Sequence, residues 1–310
     1  MANPGLPTFD QLRIFLAVVD AGSFAGAARR LNRAVSVISY GIANLEAQLG
    51  LVLFDREATR KPTLTGAGRA LLADIRTIDA GVDGLRARVK GLLDGLEAEV
   101  VLAVDVMLPS ARLAQVLRDF AQQFPTVQLR LHVEALGAVT ALVLDGTAGL
   151  GLSGPLAAEA EAIEAVPAGS TQMIPVAAPG HPLAQLSAIG AGEARDHVQL
   201  VLSDRSRLTE GRDFGVIGRK TWRLADLSAK HALLREGVGW GNMPLAMVAA
   251  DLASGALVRL ALPDPPGGGY LLSAIWRRDC PPGPAAAWLR DRFVALGRDD
   301  ALPNTLPAPS

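Results

Sequence analysis

Apolar residues in the first fifty positions recur in three short stripes. Leu12, Phe15, Leu16 and Val19 fall at i, i+3, i+4 and i+7, the spacing of one helix face, and Ala21-Gly22 ends the run. Ser23 suits the N-cap of a second helix, Phe24 to Leu31, whose small Ala25, Gly26, Ala27 and Ala28 let a neighbour cross closely. Past an Asn32-Arg33 turn, Val35, Ile38, Ile42, Leu45 and Leu49 share a face of a third helix that Gly50 stops. Three short helices on one small core make a helix-turn-helix, with Val35 expected inside. Val52 to Phe54 and Pro62 to Leu64 then read as two short strands joined by a loop, the form of a wing.

The period changes at Thr65, which suits the N-cap of a long helix reaching about Leu93. Leu71, Ile75, Ile78, Val82, Leu85, Val89 and Leu92 alternate spacings of four and three, a heptad seam that favours pairing of two such helices. Leu71 and Ile75 can also pack on the wing domain, but the later turns have no such partner in sequence. Gly81, Gly84, Gly91 and Gly95 each weaken the helix by up to ~1 kcal/mol relative to alanine, so pairing needs other contacts as well.

After Glu97 short apolar runs alternate with amphipathic ones. Strands are expected at Val100 to Val104, Val127 to Val133 and Leu150 to Leu152, with helices at Pro109 to Phe124 and Ala138 to Leu144 between them. A second set has strands at Met173 to Ala177, Val198 to Leu202 and Val238 to Trp240, and helices at Ala225 to Glu236 and Leu245 to Ala253. Strands at Leu257 to Leu262 and Tyr270 to Trp276 and a helix at Ala285 to Leu296 complete the unit. The expectation is an α/β domain of two similar lobes on a mostly parallel sheet, with ligand at the carboxyl ends of strands. The proline-bearing tail, 301–310, reads as disordered.

Composition narrows the classes. The 310 residues are half hydrophobic, enough for a large core without metals or disulfides, and no apolar run approaches the ~20 residues of a membrane span. Met1 to Phe9 lacks the form of a secretory signal, so a soluble cytoplasmic protein is expected. Cys280 is the single cysteine, which excludes an intrachain disulfide, a two-cysteine switch and a cysteine metal cluster. The net charge of −1 argues for no polyanionic partner, yet residues 1 to 69 carry about eight basic side chains against about five acidic ones, grouped at 29–33 and 56–61.

The run Gly22 to Ala28, then Leu31, Ser39 to Ile42, Leu45-Glu46, Leu49-Gly50, Leu53 to Arg56 and Leu64 to Gly68 closely resembles the LysR-type transcription regulators. Over residues 97 to 297 the resemblance is looser, carried by Phe124 to Leu129, Pro179 to Leu183, Gly237 to Pro244 and Gly255 to Val258. It implies a winged helix-turn-helix at 1–65, a dimerising linker helix at 66–95 and a periplasmic-binding-protein-like effector domain at 96–300. Its lobe I would comprise about 96–170 and 270–300, and its lobe II about 171–269.

The resemblance makes the third helix the reading helix in the major groove of double-stranded DNA. Ser36, Val37, Ser39 and Tyr40 would then approach bases and phosphates, with Ser23, Arg29 and Arg33 beside them. Relatives often carry Gln at Val35 and Arg at Tyr40, so a bidentate base reader and a phosphate contact are replaced by hydroxyls and a ring. Arg60 and Lys61 in the wing loop suit the DNA backbone or minor groove. Arg56 could do the same or pair with Glu46 or Glu57.

For a small-molecule effector between the lobes, the resemblance points to Met107, Pro109, Ser110, Ser153, Ser203, Asp204, Trp222 and Trp240. Ser110 is an N-cap whose hydroxyl could also touch an anion. Trp222 and Trp240 are either cleft walls or plain core, and Asp204 with Arg205, Arg207 and Arg212 is either a ligand cluster or a solvated one. No cofactor or metal is implied. Homodimers, assembling further to tetramers, are expected from the family.

An enzyme has little support, since His132, His181, His197 and His231 lack ligand spacing and no nucleophile motif or full Gly-rich fingerprint is present. The alternative of a cytoplasmic solute-binding-type protein without DNA function explains residues 97 to 297 and leaves the N-terminal motif without a purpose.

Overall fold

The computed structural model describes residues 6–55, 62–155, 160–203, 205–263 and 267–299. The chain divides into two compact units, Met1–Lys90 and Gly91–Ser310.

The N-terminal unit begins with α1 (Phe9–Ala21), α2 (Phe24–Leu31) and α3 (Val35–Leu49). Thr8 and Gln11 form a reciprocal capping box at the start of α1, and Gly22 ends it in the left-handed conformation at φ 61°. Ser23 Oγ accepts the Gly26 N–H at 3.0 Å to cap α2. The wing strands β1 (Phe54–Asp55) and β2 (Thr63–Leu64) pair antiparallel. Phe15, Ile38, Ile42, Leu45, Leu53 and Phe54 are sealed from solvent in one core, with Phe15 and Phe54 ring centroids 5.3 Å apart. Glu46 Oε1 accepts the Leu53 and Phe54 amides at 2.8 and 3.2 Å, tying the end of α3 to the wing.

Val35 is a correction: it is 46% exposed, because the inward stripe of α3 begins at Ile38 and the first turn lies outside the core. The loop carrying Arg56, Arg60 and Lys61 lies outside the described residues, as does the tail 301–310.

Helix α4 (Gly66–Leu93) starts where Thr65 Oγ1 accepts the Gly68 amide at 3.0 Å. Gly68 sits so close to the wing that a Cβ there would meet the Leu53 carbonyl, so a side chain would push the helix off its seat. Ile75 is buried and Leu71 packs on the head core, whereas Ile78, Leu85, Val89 and Leu92 are about half exposed. The seam thus divides into a head-packing part and a bare part.

The second unit is built on one continuous mixed sheet. Its strands are β3 (Glu99–Asp105), β4 (Gln128–Glu134), β5 (Leu150–Ser153), β6 (Ile163–Ala177), β7 (Val198–Leu202), β8 (Lys220–Leu224), β9 (Trp240–Pro244), β10 (Val258–Arg259) and β11 (Gly268–Arg277). Their order is β4-β3-β5-β11-β6-β9-β7-β8, with β10 beside β6. The helices are α5 (Ser110–Gln123), α6 (Gly137–Leu144), α7 (Leu227–Arg235), α8 (Leu245–Ser254) and α9 (Pro284–Asp299).

Alternation on β3 sends Val100, Leu102 and Val104 toward α5 and α9, and Val101 and Ala103 toward α6, so helices cover both faces. In the other half, Ile174, Val176, Leu200 and Leu202 share a core with Leu234 of α7 and Val248 of α8.

The expected mostly parallel sheet is corrected. β3 with β4 and β5, and β7 with β8 and β9, are parallel, but β6 and β11 are long antiparallel strands running through both halves. Only Met173 to Ala177 of β6 reads as strand in sequence, because Pro167 and Gly169 interrupt its first half. Between Leu271 and Ser273 the pairing shifts by one extra residue on β6, a bulge at Ala168-Gly169 with Gly169 at φ 98°. The strand expected at Val238 to Trp240 instead runs from Trp240 to Pro244, and the Leu257 to Leu262 run shortens to two residues.

Candidate nucleic-acid interface and effector cleft

Helix α3 presents a face without formal charge. Ser36 and Ser39 are exposed, Val37 is 45% exposed and Tyr40 is 68% exposed, on the side opposite Ile38, Ile42 and Leu45. Hydroxyls and one ring offer single hydrogen bonds and apolar contacts to base edges. Cations stand at the helix entrance. Arg29 is exposed, and Arg33 Nη1 lies 2.7 Å from Asp10 Oδ2, which holds the Asp10 carboxyl below its usual range and raises Arg33. Ser23 spends its hydroxyl on its own cap, so the geometry gives it a structural task.

The second unit contains a cavity of about 180 Å³ where the strand-end loops of its two halves meet. Met107, Leu136, Met173, Phe214, Lys230 and Tyr270 are among its lining residues. Beside it lies a larger depression that shares Leu136 and Phe214 and is rimmed by Arg207, Arg212 and Arg223.

One buried charge, Lys230, lines the cavity, and a second, Asp105, lies behind the wall residues Met107 and Tyr270. Asp105, 1% exposed at the end of β3, accepts the Met107 amide at 2.9 Å through Oδ1 and the Tyr270 hydroxyl at 2.7 Å through Oδ2. The Gly154 and Leu136 amides also donate to it. Burial outweighs these donors and pushes the carboxyl up to about 6. The same burial and the neighbouring carboxylate drive the Tyr270 phenol far above its ordinary value. Asp105 thereby ties together the chain after β3, β4 and β5 and the strand β11.

Lys230, 3% exposed on α7, donates from Nζ to the Asn242 carbonyl at 2.7 Å. Burial lowers its ammonium to about 8, and among the described residues no carboxylate pairs with it. Gln199 fastens the wall nearby, donating to the Gly215 carbonyl and accepting the Ile217 and Gly218 amides.

Of the residues expected at the cleft, Met107 lines this cavity and Ser203 the adjoining depression, where its hydroxyl donates to the Leu224 carbonyl. Of the others, those among the described residues line neither of these two hollows. Trp240 is fully buried in a separate core, donating from Nε1 to the Ala194 carbonyl at 3.0 Å. Trp222 stands 54% exposed on the edge strand β8. Ser153 is sealed against Thr140, the hydroxyl oxygens 3.0 Å apart. Pro109 takes the N-cap position of α5, so Ser110 makes no cap bond, and Pro109 lines a different depression. Asp204 lies outside the described residues.

Residues 9–69 match the family profile described as bacterial regulatory helix-turn-helix protein, lysR family, and residues 93–297 match the LysR substrate binding domain. The chain belongs to the LysR family of transcription regulators. AllS of Klebsiella pneumoniae, an HTH-type transcriptional activator, is 30% identical over 80% of this chain and 93% of its own length. AceR of Acinetobacter baumannii, an HTH-type transcriptional regulator, is 26% identical over 91% of this chain and 95% of its own. Full-length BenM shares the fold at a TM-score of 0.51 and 20% identity, covering 96% of this chain and all of that one.

This LysR-type protein is therefore a DNA-binding transcription regulator with an effector-binding domain. Among its described residues no single helix is long and apolar enough to cross a membrane, and no group of three His, Cys, Asp or Glu side chains could hold a metal ion. Sequence reasoning missed Asp105, Lys230, Leu136, Phe214 and Tyr270. Two had a signal: Asp105 follows the apolar run Val100 to Val104, and Lys230 falls between Leu227 and Leu234 on the buried stripe of α7.

Proposed function

We propose that the protein acts as a dimer, paired through α4 and assembled further to a tetramer through its C-terminal units, which places several reading heads on one promoter. The observation that carries this is the second half of the α4 seam. Ile78, Leu85, Val89 and Leu92 are about half exposed with heptad spacing, and none of them joins a buried cluster among the described residues. The reading face of α3 and the cations Arg29, Arg33, Arg60 and Lys61 would make the DNA contacts, with Arg56 either beside them or paired locally.

The effector would enter the cavity between lobe I, about 96–170 and 270–300, and lobe II, about 171–269. The pairing of Ser170 with Leu271 and of Thr171 with Tyr270 supports that division, since both long strands change halves there. Occupancy would bias the angle between heads, and with it the bend of the promoter. The protein would work by binding, without catalysis, in the cytoplasm where its DNA lies.

The test combines sedimentation with binding to the protein's own upstream DNA. Leu85→Glu with Val89→Glu is expected to give monomers and to weaken promoter binding by about a hundredfold or more, because avidity between two heads is lost. A wild-type protein that is strictly monomeric, or that shows no preference for its upstream DNA, overturns the proposal.

A further inference from the structure

We infer that the effector is a compact organic monoanion, a small carboxylate with an apolar body, whose charged head seats on Lys230. The inference deepens the reading of this cavity as the effector site and rests on it.

The first observation is the state of Lys230. An ammonium has three hydrogen-bond donors, and here one goes to the Asn242 carbonyl while the side chain is 3% exposed and lines the cavity. A buried cation without a counterion is costly, and natural cores place one where function repays the cost. Nothing about α7 requires it, since Leu227 and Leu234 already anchor the buried stripe and a methionine would fill the same space.

The rest of the lining fixes the other properties. Tyr270, Gln199 and Asn242 are the other polar side chains at the wall, and the Tyr270 hydroxyl is committed to Asp105. Gln199 is committed to the loop at 215–218. Among the described lining residues of this cavity, Lys230 is the charged group. One cation suits one negative charge, and the small volume of about 180 Å³ suits a small body. Met107, Leu136, Met173 and Phe214 make much of the wall apolar, with Asn242 as a further polar side chain, so a polyhydroxylated ligand would find few partners for the hydrogen bonds it gives up with water. The adjoining depression favours an approaching anion, with Arg207, Arg212 and Arg223 against Glu210 and Asp213 among its described lining residues.

Melting of the full-length protein tests this with matched probes: benzoate, phenylacetate and isovalerate, each against its primary amide. Wild type is compared with Lys230→Met, which keeps the volume and removes the charge, and with Met173→Trp, which crowds the apolar wall. In the wild type the acids are expected to raise the melting temperature at concentrations about tenfold or more below those their amides require. Lys230→Met should melt at or above the ligand-free wild type, showing that it folds, and should lose the preference for acid over amide. Met173→Trp should weaken the response to every probe.

Acids that shift nothing up to millimolar concentration, equal responses to acids and amides, or a preference that survives Lys230→Met overturn the anionic head. If responses are equal yet vanish in Met173→Trp, the cavity stands as the effector site and only its anion chemistry is wrong. If Met173→Trp leaves every response unchanged, the placement of the site itself is wrong.

Discussion

Helices α3 and α7 are both packed by a stripe of inward residues, yet the stripes differ in kind. In α3 the inward positions are Ile38, Gly41, Ile42 and Leu45, all without charge, and no described Asp, Glu, Lys or Arg of the head is a buried residue. In α7 the middle inward position is Lys230, and across the same domain Asp105 is equally hidden. The head is thus built for stability and meets its partner with an outer face. The C-terminal domain gives up stability to keep charge inside, and one of its two hidden charges, Lys230, lines a cavity.

The largest effect expected from this contrast is in the head. Phe15→Ala removes a ring sealed against Phe54 and should cost roughly 3–5 kcal/mol, unfolding the head first. In calorimetry its transition should fall while the melting of the C-terminal domain stays in place. A single shared transition would mean that the two units are not independent in stability.

The next effect is a pH dependence of the C-terminal domain. The Lys230 ammonium sits at about 8 in the folded protein and near 10.5 when unfolded, so the unfolded chain binds more protons between those values. Stability should therefore rise with pH from about 8 to 10.5, by at most roughly 3 kcal/mol, and Lys230→Met should flatten that rise. Asp105 acts in a lower window. Its folded value of about 6 exceeds the ordinary 3.8, so the native state holds the extra proton and stability should fall as pH rises from about 4 to 6. Urea unfolding across pH reads both slopes, and a flat alkaline profile in the wild type would remove Lys230 from the account.

The smallest effect concerns DNA. Tyr40→Ala takes a 68% exposed ring from the reading face and should leave stability within about 0.5 kcal/mol while weakening promoter binding by about 1–2 kcal/mol. Equal loss on promoter and unrelated DNA would assign Tyr40 to phosphate contact instead of base reading.

The helices are legible because burial of one face leaves a period in the sequence, and caps at Ser23 and Thr65 mark where two of them begin. The wing and the LysR motif came with them. β8 was not legible, since Lys220 to Leu224 carries two cations and an exposed tryptophan on an edge strand. The cleft was harder still. The family resemblance points to Ser110, Trp222 and Trp240 by their place in the chain, and a loose resemblance does not reveal which side of a sheet or core a residue faces. Lys230 and Asp105 break the apolar pattern locally, but only the meeting of strand ends far apart in sequence shows that they stand at one cavity.

One consequence follows from the extra residue in β6. The two halves of the effector domain are stitched by a continuous two-stranded ribbon, so they cannot swing as if on a slack tether. The bulge at Ala168-Gly169 lies two to three residues from the crossing at Thr171 and adds coil to that ribbon at its midpoint. A rotation of one half against the other would therefore have to twist this ribbon.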